Sequence, residues 1–423
     1  MTAEETKRIP STLLASFDPG QLREGRSTDA IDGVTPLAVV TVRSCENVET
    51  AMREAVAADL AVVPTGGGTE LDKGNIPAAF DLRLSTTAMA AARDHSPEDM
   101  TVTVGAGMTL GRLNRTLACA GQRIPLDPPD QDRATLGGLV AADSSCSGNC
   151  GFGRWRDLVL GLTVVDGSGR RLRTGGRVVK NVAGYDLTRM FAGSRGSLGI
   201  ITELTLRTLP LAEDTLAMEF DFDRVAAIDS ARASLFACDI SPVAVDFSHE
   251  PGRVASSWTL VVGLEGTHSE IGDQSLRLER ICGRAPSSTY CRWQGPAAAA
   301  AEATLRLRVV CPPATALRLG EDLLGALGDR REQASLNGHL HEAILFLSLQ
   351  ASDPCSDGAL LARLRSLALK RDARLVIDRA PVGVKRLVDS WGAAPAGLAI
   401  MRTIKRRFDP HGLLTPGRLG GSL

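Results

Sequence analysis

The stretch VVPTGGGTELDKG, residues 62–74, sets three adjacent glycines between two threonines. Gly66, Gly67 and Gly68 can adopt positive φ without steric cost, so successive N–H groups there can converge on one point and cradle an anion. Thr65 and Thr69 add hydroxyl donors on either side. The same composition also fits a flexible hairpin turn, because glycine clusters punctuate turns of every kind. Two familiar phosphate loops do not fit. A GxGxxG loop needs a helix directly behind it, and Lys73, Gly74, Asn75 and Pro77 speak against one. The GxxxxGK[ST] pattern is absent from the same place. The other reactive side chains are scattered. His339 and His341 could take up a proton near neutral pH, or sit in a hairpin or on the surface. Lys180, Asn181, Tyr185 and Asp186 form a dense polar loop, read either as functional or as a capped turn before a helix at 187–192. Cys146 and Cys150 stand four apart without a nearby histidine, which suits idle thiols better than a metal. Lys405, Arg406, Arg407 and Arg418 make the C-terminal tail basic, as a contact for a phosphate or partner or as a solvated helix face.

The elements that must position these groups follow from hydrophobic periodicity. LAVVTV (37–42) reads as a buried strand, and Ser44 as the cap of a helix carrying Val48, Met52, Ala55, Val56 and Leu60. AVVP (61–64) delivers the glycine loop and FDLRLS (80–85) takes it away. TVTVGAG (101–107) predicts a strand, followed by a helix at about 109–120 closed by Gly121. ATLGGLVAAD (134–143) places Gly137 and Gly138 inside an apolar run, a sign of close backbone approach. Residues 158–174 predict a hairpin with Gly167 and Gly169 in its turn, and 199–210 a strand stopped by Pro210. After Leu211 the rhythm changes. Strands at 216–222, 243–248 and 258–266 alternate with helices at 224–237 and 269–282. The pattern returns with strands at 304–310, 341–349 and 374–378 and helices at 315–327 and 358–370. Two such passages predict paired ferredoxin-like units, with the alanine-rich 297–303 as a connector between them or a short helix. The tail 401–419 reads as a basic amphipathic helix stopped at Asp409–Pro410.

Composition narrows the function classes. With 48 basic against 49 acidic residues and 4% aromatics, nucleic acid is disfavoured as the main partner. Nine cysteines without a CxxC pair fit reduced thiols and argue against an iron–sulfur cluster on this chain. The first residues lack the apolar core of a signal peptide, and no apolar run approaches the roughly 20 residues of a membrane span. A cytoplasmic location is expected, with peripheral attachment at the inner membrane through partner subunits as its variant.

Several of these stretches, in this order, resemble the FAD-binding PCMH-type fold of the vanillyl-alcohol-oxidase superfamily. PTGGGTELDKG is similar to that family's pyrophosphate loop, ATLGGLVAAD to its second flavin-contacting stretch, and RDLVLGLTVVDGSGRRLRTGG to the hairpin after it. GGRVVKNVAGYDLTRMFAGSRGSLGIITELTLRTLP resembles the glycolate-oxidase branch, as does IKRRFDPHGLLTPGRL at the C-terminus. The resemblance implies an α+β architecture: a lead segment at 1–35, a PCMH-type FAD-binding domain of two α+β subdomains at 36–211, a ferredoxin-like α+β cap domain at 212–380, and a segment at 381–423 that returns to the FAD domain. It implies non-covalent FAD. Thr65, Gly66, Gly67, Gly68 and Thr69 would wrap the pyrophosphate, and Thr135, Gly137 and Gly138 would approach the flavin. Ala141, Ser145, Gly153 and Ile200 would line the cofactor. Asp143 and Cys146 stand where the family often has Asn and Gly.

Within the branch the chain resembles the FAD-binding E-type subunit of glycolate oxidase more than the catalytic D-type. D-type proteins carry a His-x-Gly-Asp-Gly-Asn-x-His motif and a Gly-Glu-His-Gly motif that supply metal and substrate ligands. Here ASLNGHLH (334–341) keeps only Gly338 and His341, with Ala334 at the first histidine, and RAPVGVKRLVDSWGAAP (379–395) occupies the later region. No metal site is expected. The implied activity is oxidation of a small 2-hydroxy acid such as glycolate, with a D-type flavoprotein subunit and an iron–sulfur F-type subunit as partners. A stand-alone FAD-dependent 2-hydroxy-acid dehydrogenase and a scaffold with a vestigial flavin site stay open beside it. The catalytic base is not fixed by the motifs; His341, Tyr185 and Lys180 are the candidates.

Overall fold

The computed structural model describes residues 8–176, 186–250, 258–290 and 303–421. Its first half holds two sheets. β1 (Leu22–Glu24), β2 (Ala38–Thr41), β3 (Val62–Thr65) and β4 (Leu82–Ser85) lie in the order β1-β2-β4-β3. Helices α1 (Ser11–Ala15) and α2 (Cys45–Ala57) belong to this layer. The Asn47 N–H donates to the Ser44 hydroxyl, which caps α2, while Val48, Ala51, Met52 and Ala55 fill the core beneath. β3 and β4 run parallel. The glycine-bearing segment between them is therefore a crossover that must travel back along the strands, and the hairpin-turn reading is excluded.

The second sheet comprises β5 (Ala92–Ser96), β6 (Thr101–Gly105), β8 (Val159–Asp166), β9 (Arg171–Gly175) and β10 (Gly199–Arg207), ordered β5-β6-β10-β8-β9. β10 ends earlier than its apolar pattern predicts. Leu209–Pro210 forms a separate short strand, β11, against β7 (Gln122–Arg123). α3 (Leu110–Ala118), α4 (Leu136–Ala142), α5 (Asn149–Phe152), α6 (Trp155–Leu158) and α7 (Leu187–Phe191) surround this sheet. Asp186 caps α7 by accepting from the Arg189 N–H, as the capped-turn reading expects.

The second half is one antiparallel sheet of eight strands. β12 (Asp214–Phe222), α8 (Val225–Ala237), β13 (Ala244–His249), β14 (Trp258–Gly266), α9 (His268–Cys282) and β15 (Ser288–Tyr290) make one βαββαβ unit. β16 (Leu305–Val310), α10 (Ala316–Gly325), β17 (Ser335–His339), β18 (Ile344–Leu349), α11 (Pro354–Leu369) and β19 (Arg374–Arg379) make another. The order β15-β12-β14-β13-β17-β18-β16-β19 shows two ferredoxin-like units fused edge to edge through β13 and β17. β17 has no counterpart in the pattern reading, which places a single strand at 341–349. Alternation gives this sheet two unlike faces. Leu305, Leu307, Leu336, Leu345 and Leu347 share a core with the helices. Arg306, Arg308, Asn337, Ser348 and Asp378 alternate with such core residues along β16, β17, β18 and β19. Asn337, Ser348 and Asp378 are nevertheless buried.

α12 (Val382–Leu387) and α13 (Leu398–Phe408) lead back to the first half. Beyond α13 the chain runs beside β3, where the Val62 N–H donates to Leu413 O and the Thr415 N–H to Val62 O. Asp409 fixes this turn by accepting from the Leu413 and Leu414 N–H groups and from Lys405.

Candidate active site

β3 releases the chain into an open cleft. Thr65, Gly66, Gly67, Gly68 and Thr69 form one wall; Thr135, Gly137, Gly138 and Ala141 form the next, and Ile200 reaches in from β10. The glycine loop lies hard against the segment before α4. A Cβ added at Gly67 would stand 1.8 Å from the Arg133 carbonyl oxygen, and one at Gly66 1.9 Å from Thr135 Oγ1. Gly68 has φ +77°, so its amide turns in a way that side-chain-bearing residues rarely allow. The N–H groups of Gly66, Gly67, Gly68 and Thr69 donate to no protein acceptor among the described residues. Four consecutive unpaired amides beside a cleft are an anion nest. At Gly137 the close approach is made by the chain itself, since an added Cβ would meet Ala106 Cβ at 2.7 Å.

Cations line the same cleft. Lys73 pairs with Glu70, and Arg195 lies 4.0 Å from Glu70 with its guanidinium over the Trp391 ring. Arg418 donates to Leu71 O at 2.6 Å and stands 3.7 Å from Asp32, tying the tail to the loop. Lys405, also read as part of a solvated face, instead bonds Ser197 O and Leu414 O. These basic groups and the nest suit a diphosphate, and the apolar Val63, Leu71, Ile200, Ile201 and Leu419 suit flat ring systems. The residues present therefore fit a flavin dinucleotide.

The polar face of the eight-stranded sheet lies next to this cleft, meeting it at Lys73. Asp378 accepts from Arg308 Nε at 3.1 Å and lies 3.9 Å from Lys73 Nζ. Burial alone would raise its pKa, but Lys73, Arg308, Arg195 and Arg306 outweigh it and hold the carboxyl at about 2. Arg306 Nε is sealed from solvent and has no hydrogen-bond partner among the described residues; its guanidinium lies 5.0 Å from the centre of the Phe346 ring. Orphaned buried atoms recur nearby on Ser348, Asn337 and Asp246. So many unmet polar groups on one internal face mark a place that expects a polar ligand.

Ser145 and Gly153 are not among the cleft-lining residues. Ser145 donates instead to Glu342, which also accepts from Asn149 Nδ2 at 3.0 Å. Gly153, with φ +75°, ends α5 beside Asp157. His341 is exposed in the turn between β17 and β18. Lys180 and Tyr185 lie outside the described residues. Cys146 donates to Asn149 Oδ1; burial pushes its thiol well up and that of Cys150 to about 12, so neither is a thiolate near neutral pH. Among the described residues no group of three or more His, Cys, Asp or Glu side chains could hold a metal. Sequence reasoning missed Lys73, Arg195, Arg306 and Arg308. Arg306 and Arg308 did carry a signal: charged residues alternating with leucines in LRLRVV.

Residues 36–175 match the family described as an FAD binding domain, and residues 390–419 the C-terminal domain of FAD-linked oxidases. The chain is 25% identical over 420 residues to glycolate oxidase subunit GlcD of Bacillus subtilis (strain 168), covering 91% of this chain and 89% of that one. It is 34% identical over 153 residues to glycolate oxidase subunit GlcE of Escherichia coli (strain K12), covering 36% of this chain and 43% of that one. Among solved structures it superimposes on alkyldihydroxyacetonephosphate synthase with a TM-score of 0.73 across 98% of this chain and 86% of that one, at 17% identity.

Proposed function

We propose that this chain, an FAD-dependent oxidoreductase built on the PCMH-type fold, oxidises a small 2-hydroxy acid such as glycolate as the FAD-binding subunit of a glycolate-oxidase-type complex. The observation that carries the reading is Arg306. A guanidinium whose Nε is buried without a partner, on the polar face of the sheet, can seat a carboxylate. Arg308 and Asp378 hold the neighbouring charge in place. Bound FAD would supply the two-electron acceptor. Thr65 to Thr69 would hold its diphosphate, and Thr135, Gly137, Gly138, Ala141 and Ile200 would pack the rest. The adjoining sheet face would orient the acid and exclude water.

The subunit assignment is supported by the GlcE likeness and by Ala334, where a D-type histidine would stand. The proposed partners are a D-type flavoprotein and an iron–sulfur F-type protein, which would carry electrons onward and attach the complex to a membrane surface. No helix among the described residues is long and apolar enough to cross a membrane. A second reading, a stand-alone 2-hydroxy-acid dehydrogenase, is favoured by the match to GlcD along most of both chains. Anaerobic titration separates the two. Isolated FAD-loaded chain and the complex recovered through a tag on it are each mixed with glycolate or D-lactate, and the visible flavin band is followed. Bleaching only in the complex supports the subunit, bleaching of the isolated chain supports the stand-alone enzyme, and bleaching in neither rejects 2-hydroxy-acid oxidation.

A further inference from the structure

The same polar sheet face carries a histidine that the carboxylate seat does not use, packed on the Phe346 ring that Arg306 also touches. His339 on β17 stands opposite Asp246 on β13 in the sheet register. Its Nδ1–H donates to Asp246 Oδ1 at 2.8 Å, and Ser147 Oγ lies 3.4 Å from the same nitrogen. Nε2 makes no hydrogen bond among the described residues. The Phe346 ring meets the imidazole edge-on, 5.6 Å between centres, and fixes its plane. Ser147 follows closely on Ala141 and Ala142, which line the cofactor cleft. The histidine thus bridges the two halves where they face each other, with one nitrogen tied and the other open.

We propose that His339 is the group that takes the hydroxyl proton of the 2-hydroxy acid, and that Asp246 is its positioning residue. The inference rests on the function proposed above. The substrate O–H bond breaks and its proton moves to Nε2; the α C–H bond breaks and its hydrogen leaves with both electrons to FAD, the oxidant; the C–O bond becomes a carbonyl. The products are a 2-oxo acid, reduced FAD and protonated His339. Asp246 keeps Nδ1 protonated, so the lone pair sits on Nε2. His341, only two residues on, is exposed in a turn and has no such orienting carboxylate among the described residues.

The charged groups facing His339 are Asp246 and Glu342 from its own half and, across the junction, Asp127. Burial pulls the imidazole pKa down. The charge and hydrogen bond of Asp246, with Glu342 and Asp127 behind it, more than reverse that pull, so the pKa is raised above its ordinary 6.5. Proton uptake needs the neutral ring. The rate therefore falls as pH drops through the raised value, and loss of the Asp246 charge moves that fall to lower pH.

The test compares wild type, His339→Gln and Asp246→Asn, each as FAD-loaded chain with its co-purifying partners. Flavin content, binding of oxalate as a non-oxidisable acid, and the pH profile of flavin reduction are read together. His339→Gln is expected to keep FAD and oxalate binding, lose about 100-fold or more in reduction rate, and lose the acid limb. Asp246→Asn is expected to keep the limb but shift it to lower pH. A His339→Gln rate within threefold of wild type with its acid limb intact overturns the role of His339 while leaving the proposed function standing. Should that variant not retain FAD, the Asp246→Asn profile decides, and an unmoved limb overturns the proposal. A wild-type flavin that no 2-hydroxy acid reduces overturns both.

Discussion

Two walls of this molecule are built for recognition by opposite means. The wall after β3 works with main chain: four unpaired amides at Gly66–Thr69, pressed against Arg133 and Thr135. The wall on the eight-stranded sheet works with side chains: Arg306 and Arg308 from β16, His339 from β17 and Asp378 from β19. The first has no spare volume at Gly67, where an added atom meets backbone. The second stands on a ladder and a leucine face that do not depend on it. Changes on the first wall should therefore abolish cofactor loading, and changes on the second should leave the cofactor bound and alter what it reacts with.

The largest effect is expected at Gly67. In Gly67→Ala the new Cβ would lie 1.8 Å from the Arg133 carbonyl, which cannot swing aside as a flexible side chain would. The loop must lift and the nest opens, so the purified variant should contain almost no FAD by absorbance. Full flavin content would break the comparison at its first term. Next comes Arg306→Met, which keeps the bulk and removes the charge. A hydrogen bond to a charged group contributes roughly 1.5–3 kcal/mol, so affinity for the acid should fall about 10- to 100-fold. Its flavin content should equal that of wild type; an emptied site would show that the walls are not separable.

That contrast also decides what the sequence reveals. A main-chain wall is written in consecutive letters, so ten of the twelve residues expected around the cofactor line the cleft, from Thr65 to Ile200. A side-chain wall is written one letter in two on strands far apart in the chain. Arg308 and Asn337 fall in one row, on either side of Phe346, only once β16, β18 and β17 pair. The two ferredoxin-like units were legible because each apolar run is bounded by turn residues. β17 was not, since SLNGH reads as polar until its partner strands bury it. Ser145 was placed by likeness to a motif, and Glu342, nearly two hundred residues away, draws it elsewhere.

Acid–base behaviour sharpens the comparison further. Asp378, surrounded by cations, has its pKa held at about 2, so its contribution to stability is present above the ordinary 3.8 and lost as pH falls through that lower value. Asp127, behind the first wall, goes the other way. Burial, against the opposing Gly148 N–H and with Asp246 adding, raises it to about 7. Its neutral form favours the fold, and that stability is present below 3.8 and lost as pH rises through about 7. Asp127→Asn keeps an acceptor for the Gly148 N–H, 2.9 Å away in the native protein, without the charge. The variant should melt above wild type in mildly alkaline buffer, with the gap closing as pH is lowered towards the ordinary Asp range of about 4. A gap constant with pH would mean that Asp127 does not titrate in the folded protein.

The smallest expected effect lies where the first wall does use a side chain. Thr135 Oγ1 accepts a long, 3.4 Å hydrogen bond from the Gly138 N–H at the start of α4, and is the atom Gly66 approaches. If the hydroxyl serves only as a helix cap, Thr135→Ala should cost about 1 kcal/mol of stability, read as a slightly lower melting temperature, and FAD should remain bound. Thr135→Ser, which keeps the oxygen, should restore the loss. Should Thr135→Ala instead empty the site as Gly67→Ala does, the hydroxyl would be a direct cofactor contact, and the first wall would recognise its ligand through side chain as well as backbone.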